Sequence, residues 1–429
     1  MTARPAQPWL LQQVQLLEAE GCELRRCDVL INQGELLAIG AEATAQASAC
    51  SAAVVAAEGL LLAPSLVDPH SYLEDPFSGA AETLASLQRS ALAAGYGSVA
   101  LLPRARSWRD RPERLQPLAE DGPLQLLLWG SFSSGAEGQD LAPHADQLQA
   151  GAIGLAEADH CPPLPLLERG LALGEFAAAP LLLAPREPAL SQGGVVRDGV
   201  EALRAGWPTD PAISETLPLQ NLLTLARRHP QRRLQLMNLS TAEGVALLRA
   251  CSEAERPEAT VCWWHLLADS GCLDPIAEGW RVVPPLGTPA DRIALQQALA
   301  DAVITAVAVH HEPLDAEEQL LPLDQRRPGV AGHRFVLPSL WQELVVRRGW
   351  SVQQLWRALC FGPARLCGLE PPRLVSGSRR WLLFDPSRRW QASHDDLAPL
   401  AANQPLAQQD LIGQVVASGL SPGWWRLPA

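Results

Sequence analysis

Four groups of titratable side chains have the types and spacing to do chemistry. They are His70 within Asp68-Pro69-His70-Ser71-Tyr72, the carboxylates Glu157 and Asp159, the run His310-His311-Glu312, and His265 behind Trp263-Trp264. Imidazoles and carboxylates hold divalent metals and move protons near neutral pH. The run His310-His311-Glu312 spells metal chemistry at first sight. Neighbours on an extended chain point to opposite sides, however, so both rings do not readily meet one ion. A lone histidine such as His70 is more often a hydrogen-bonded part of a fold than a ligand, and charged pairs such as Glu157 and Asp159 are common on protein surfaces. The nine cysteines are odd in number, scattered, and never spaced C-x-x-C, so they read as reduced, buried apolar residues.

The charge balance narrows the classes further. Against 47 acidic residues stand 34 basic ones, giving a net charge of −13. This predicts no nucleic acid partner and no anionic membrane surface, both of which need clustered positive charge. Every basic residue is arginine; the chain has no lysine. Schiff-base chemistry, a phosphate loop with its lysine, and a metal bridge made by a carboxylated lysine are thereby excluded. The arginine pairs, Arg232-Arg233 among them, read as solvated faces, and Trp424-Trp425 as a candidate contact patch. The first residues lack a charged region followed by an apolar core, and no uncharged run is long enough to span a bilayer, so a cytoplasmic protein is expected.

These residues must be positioned by something large. With 47% apolar residues the chain can bury a sizeable core, and 37 prolines with 32 glycines predict many short connections. Strand-like runs at Cys27 to Ile31, Leu36 to Ile39 and Val54 to Ala57 open the chain, with the alanine-rich Ala41 to Ala57 read as loop and strand. A second rhythm follows. Apolar runs at Leu60 to Val67, Ser98 to Leu102, Leu124 to Trp129, Gly151 to Leu155, Leu181 to Ala184, Leu234 to Leu239, Thr260 to Trp264 and Val303 to Val309 alternate with amphipathic segments. Helices are expected over Glu82 to Ala94, Leu219 to Arg228, Thr241 to Ala250 and Ala290 to Ala300. Eight such units over about 300 residues predict a (β/α)₈ barrel, the α/β class that leaves no sheet edge to protect. Short strands return at Trp381 to Phe384 and Leu411 to Ser418. The expected division is a barrel over 63–373 and a small β-sandwich domain built from both chain ends, 1–62 plus 374–429.

In a barrel, chemistry sits where strands end. There the chain resembles the dihydroorotase family of the cyclic amidohydrolase superfamily. The segment Ala63-Pro64-Ser65-Leu66-Val67-Asp68-Pro69-His70-Ser71-Tyr72-Leu73-Glu74-Asp75-Pro76 is similar to the family's first-strand signature, which ends His-x-His-Leu-Arg-Glu-Pro. Leu239-Ser240-Thr241-Ala242 resembles its His-Val-Ser-Thr segment, Val283-Pro284-Pro285-Leu286 its Asn-Pro-Pro-Leu-Arg loop, and Phe384-Asp385-Pro386 with Trp390 its C-terminal strand. The resemblance covers nearly the whole chain.

The resemblance implies a TIM-like amidohydrolase barrel with zinc at its mouth, a metal-bound hydroxide as nucleophile and an aspartate after the eighth strand as proton carrier. Position by position, this chain departs from that pattern. The second histidine of the first-strand pair is Tyr72, the fifth-strand histidine falls on Ala184, the sixth-strand histidine on Asn238, and the catalytic aspartate on Val309. The bridging carboxylate falls near Glu157. The substrate-binding arginine of the first motif falls on Glu74 and the asparagine after the second strand on Arg104, while Val283 and Gly287 flank the Pro-Pro-Leu loop. Zinc is therefore expected to be lost, with His70, Glu157 and His310 as remnant candidates, no catalytic residue assigned, and substrate-binding residues unknown. Inactive members of the family assemble with aspartate carbamoyltransferase. The resemblance thus implies a homo-oligomeric, non-catalytic scaffold or regulatory partner in pyrimidine biosynthesis. The alternative left open is an active dihydroorotase, or another cyclic-amide hydrolase, with a rebuilt metal site that draws on His70, Glu157, His310 or His311.

Overall fold

The computed structural model describes residues 7–115, 122–272, 281–321, 325–392 and 399–426. Eight short strands form one sheet, Leu66–Ser71, Tyr96–Leu101, Gln125–Ser131, Gly154–Ala156, Leu181–Leu183, Leu234–Leu236, Glu258–Cys262 and Ala306–Ala308. Each runs parallel to the next. The seam between the eighth strand and the first carries two backbone bonds, His310 N–H to His70 O at 3.1 Å and Tyr72 N–H to His311 O at 2.8 Å. Side chains of Ala100, Trp129, Ala156, Leu182, Met237 and Ala306 pack inside the ring. This is the (β/α)₈ barrel that the alternating runs predict, with a filled interior.

Local chemistry sets the helix starts. Thr83 and Ser86 form a reciprocal capping box before Leu84–Ala93, and Thr288 and Asp291 do the same before Pro289–Ala300. Thr241 accepts the Gly244 N–H to open Ala242–Arg249, which orients that helix on the sixth strand. The helix expected from Leu219 begins earlier, at Ile213, with Pro218 buried inside it. The alanine-rich stretch read as loop and strand forms the helix Ala41–Ala49 before the strand Ala53–Ala56. High alanine helix propensity, with Ala43 and Ala47 buried, explains the difference.

The run expected as the first barrel strand, Leu60 to Val67, divides between two sheets. Leu61–Pro64 joins the sheet made by the chain ends, and Leu66–Ser71 joins the barrel. The switch occurs at Ser65, whose N–H bonds Arg380 O at 3.1 Å, while that of Leu66 bonds Gly95 O at 2.9 Å. The end sheet has seven strands, in the order Asp410–Ser418, Trp381–Gln391, Leu61–Pro64, Trp9–Leu16, Arg25–Asn32 and Glu35–Ile39, with Ala53–Ala56 also on Trp9–Leu16. Leu11, Val14, Leu16, Val29, Trp381 and Leu383 build its core. Among the described residues, no helix is long and apolar enough to cross a membrane.

Candidate functional site

The first barrel strand ends in Asp68-Pro69-His70-Ser71-Tyr72, and its register against the second strand slips between Asp68 and Ser71. The slip separates the polar side chains. His70 lies at the barrel mouth, with Nε2 2.9 Å from Thr260 Oγ1 and Nδ1 3.1 Å from His310 Nδ1. Thr260 Oγ1 already accepts the Asn238 N–H at 2.9 Å. One proton arrangement serves the whole chain of groups. Thr260 donates to His70 Nε2, His70 donates from Nδ1 to His310 Nδ1, and the second His310 nitrogen is left for the Val283 backbone. Both rings then stay uncharged. Burial, and then each other's proximity, holds His70 well below the ordinary 6.5, and burial pushes His310 down to about 4. Asn238 and His310 sit in left-handed backbone at φ 54° and 47°, a conformation few side chains adopt but one in which Asn and His are enriched.

Where the resemblance places a second histidine, Tyr72 turns its hydroxyl to Asp159. The Arg104 guanidinium lies on the Tyr72 ring, 3.7 Å from its centre, and bonds Asp159 Oδ2 at 2.8 Å and the Glu312 carboxylate. Burial acts to raise Asp159, but Arg104, His310, Tyr72 and Arg186 together outweigh it and the carboxyl ends below its ordinary range. For Glu312 burial wins over Arg104, and its pKa is raised. On one side of this cluster, Tyr72, Arg104 and Glu312 line an open cleft of about 380 Å³ with Glu74, Glu82 and Arg327. The space left beneath the cluster, among Asp159, Ala184, Arg186, Asn238, Pro284 and His310, is about 10 Å³, close to the minimum for one water.

Zinc sites take at least three protein ligands. Among the described residues, no three His, Cys, Asp or Glu side chains converge as a set that could hold a metal ion. His70 and His310 supply two nitrogens, directed at one another and at a threonine hydroxyl, and the residues present do not fit the metal that the resemblance implies.

Of the three remnant candidates, the fold brings His70 and His310 together and leaves Glu157 apart. Glu157 accepts the Ser133 N–H at 3.0 Å and the Ser133 hydroxyl at 2.8 Å, and burial pushes its carboxyl up to about 7. His311 faces away from His310, with His310 itself in left-handed rather than extended backbone. Its Nδ1 accepts the Gly332 N–H at 3.3 Å, and its Nε2 lies 3.3 Å from Glu82 Oε2 without the alignment of a hydrogen bond. Beside it His333 Nε2 bonds Asp68 Oδ2 at 2.9 Å, and Asp68 also accepts the Val309 N–H at 3.0 Å and the Ser71 hydroxyl at 2.5 Å. His265 bonds Pro284 O at 2.9 Å and fixes the Pro-Pro-Leu loop over the mouth.

Sequence reasoning missed Asp68, Glu82 and His333, and it missed the buried network under Ser240 and Thr241. In that network Arg197 bonds Asp210 at 3.0 Å and Glu215 at 3.2 Å, and Glu215 accepts the backbone N–H of both Ser240 and Thr241. Asp68 left one signal, a carboxylate inside an otherwise apolar strand run.

No protein-family model matches the chain. It is 36% identical over 403 residues to a probable dihydroorotase-like protein of Synechocystis sp., covering 85% of this chain and 89% of that one. It is 30% identical over 395 residues to the dihydroorotase of Thermus aquaticus, covering 89% and 90%. Among solved structures, the L-hydantoinase (dihydropyrimidinase) from Arthrobacter aurescens superposes with a TM-score of 0.74 at 18% identity, over 96% of this chain and 94% of that one. The D-hydantoinase from Bacillus sp. AR9 gives 0.76 at 18% identity, over 96% and 93%. At that identity the structural likeness speaks to the fold alone.

Proposed function

Because the chain belongs to the dihydroorotase family of cyclic amidohydrolases, we propose that it serves pyrimidine biosynthesis as a non-catalytic scaffold or regulatory partner of aspartate carbamoyltransferase. The observation that carries this reading is the lack of room beside His310. Hydrolysis of a ring amide needs an activated water, a group to move its proton, and space for the substrate. Here Tyr72, Arg104, Asp159 and Glu312 bond one another across the mouth, the space that reaches His310 measures about 10 Å³, and neither His70 nor His310 lines the cleft of about 380 Å³ beside them. A fold kept without its chemistry works through a surface, and a specific assembly buries at least about 1,000 Å². A cytoplasmic homo-oligomer carrying such an interface fits the proposal.

The test uses the full chain, purified without chelators and then assayed with added zinc. The reading expects no stoichiometric zinc by elemental analysis, no turnover of dihydroorotate, and co-purification with aspartate carbamoyltransferase from native extract. A monomer that turns over dihydroorotate and captures no carbamoyltransferase overturns it.

A second reading, a cyclic-amide hydrolase with a rebuilt metal site, requires His70 and His310 to turn from one another and from Thr260 toward an ion. One bound zinc per chain, lost in a His70→Ala variant, would decide for it.

A further inference from the structure

We propose that a cleft at the opposite end of the barrel, bounded by Arg227, Arg232, Arg233 and Arg256, binds a small phosphoryl-bearing anion. The cleft lies where the sixth and seventh strands begin, since Leu234 and Glu258 line it, and its volume is about 240 Å³. That is just under the roughly 300 Å³ at which sites for drug-sized ligands begin, so the occupant is small. Four arginines and two glutamates, Glu255 and Glu258, line it, which leaves a surplus of two positive charges in a chain whose net charge is −13. A phosphate dianion matches that surplus better than a single carboxylate does.

Two of the guanidiniums, those of Arg232 and Arg256, are held in advance by backbone carbonyls, which do not neutralise them as a carboxylate would. Arg232 donates to the carbonyls of Leu171 and Ala177, both at 3.1 Å, and lies against Gly174, where a Cβ would be 1.6 Å from its Nη2. Arg256 donates to Leu248 O and Cys251 O, both at 3.1 Å. Each fork uses two of its five N–H groups in this way, which leaves the rest for a ligand. Arg233 is committed to Glu258 at 2.8 Å, and Arg227 has one long side-chain bond, to Thr224 at 3.4 Å.

The bland account is that Arg232 and Arg256 simply cap the helix C-termini at Leu173 and Arg249, where cations are favourable. Arg357 shows what capping alone requires. It donates to Leu299 O at 3.1 Å and Ala300 O at 2.7 Å at the end of Pro289–Ala300, and it contributes to no such cleft. Capping therefore explains why the arginines are fixed, and leaves open why three capping or unpaired forks converge on one concavity.

Full-length protein titrated calorimetrically with inorganic phosphate and with pyrophosphate at low salt should show saturable one-to-one binding that weakens as salt is added. Arg227→Gln, on the exposed rim, should weaken binding about tenfold, the effect of losing one charge-assisted contact. Arg256→Gln should do the same. Because Arg256 also caps a helix, its fold is checked by circular dichroism, and Arg227→Gln stands as the variant with nothing structural to lose. Arg104→Gln, at the barrel mouth, should leave the affinity unchanged. Absence of saturable binding, wild-type affinity in Arg227→Gln, or loss of binding in Arg104→Gln instead would overturn the assignment.

Discussion

Two histidine groups lie back to back across the barrel seam, and they differ in what answers each ring. Inside, His70 and His310 answer one another and a threonine hydroxyl. Outside, His311 faces Glu82, and His333 is one of three donors to Asp68. The inner pair is a neutral relay that has no need of a countercharge, whereas the outer group is built around buried carboxylates that fail if a donor is lost. Counting imidazoles near a strand end therefore says little about metal chemistry. The groups within hydrogen-bond reach of each ring decide it.

The contrast breaks most sharply at Asp68. Asp68→Ala leaves the Val309 N–H, the Ser71 hydroxyl and the His333 ring buried without an acceptor, and should cost at least about 3 kcal/mol in urea unfolding. His310→Asn, which tolerates the left-handed backbone, removes the partner of the His70 ring and a bond to the Val283 backbone, and should cost about 1 to 3 kcal/mol. Equal losses in the two variants would erase the distinction between relay and carboxylate cluster.

Acid sharpens the same comparison. The inner rings titrate below 6.5 in the folded protein, His310 at about 4, so the unfolded chain takes up protons first. Stability contributed by the neutral pair is therefore present above pH 6.5 and is lost as the pH falls from 6.5 through about 4. The urea midpoint of the native protein should fall over that window, and less steeply in His310→Asn. The smallest effect is expected at Tyr72. Tyr72→Phe removes one hydroxyl bond to Asp159 while Arg104 still holds that carboxylate, and should cost about 1 kcal/mol. Tyr72→His, which restores a histidine, should still show no dihydroorotate turnover with zinc, because Ala184, Asn238 and Val309 remain and catalytic groups that act as a unit are strongly non-additive.

Much of this was legible in the chain, and the remainder was hidden for identifiable reasons. Eight apolar runs sufficed for the barrel because parallel strands are buried on both faces and so read as unbroken apolar segments. Opposite headings for His310 and His311 are what strand alternation predicts, although both lie past the strand Ala306–Ala308 and His310 is left-handed. Alternation fails at Asp68, where the register slips, and so the outer cluster stayed invisible. Its members are also remote in sequence: His333 meets Asp68 across 265 positions, a pairing that no local pattern encodes. Glu157 misled in the other direction, since its place in the order of strands suggested a ligand while the nearby Ser133 supplied it with two donors. Alanine's helix propensity in Ala41–Ala49 was legible and was underweighted against the strands around it.

The end sheet sets a timetable for synthesis. Leu61–Pro64 pairs on one edge with Trp9–Leu16, which leaves the ribosome before it, and on the other with Trp381–Gln391, which emerges roughly three hundred residues later. Until then one edge of Leu61–Pro64 stands open beside a growing barrel, with its backbone groups available to any other strand. The entropy of closing so long a loop rises only slowly with length, so the delay weighs on exposure during translation far more than on the stability finally reached. A nascent chain stalled before residue 381 should therefore hold its first strands protease-sensitive and prone to association, and release of the last strands should end both together.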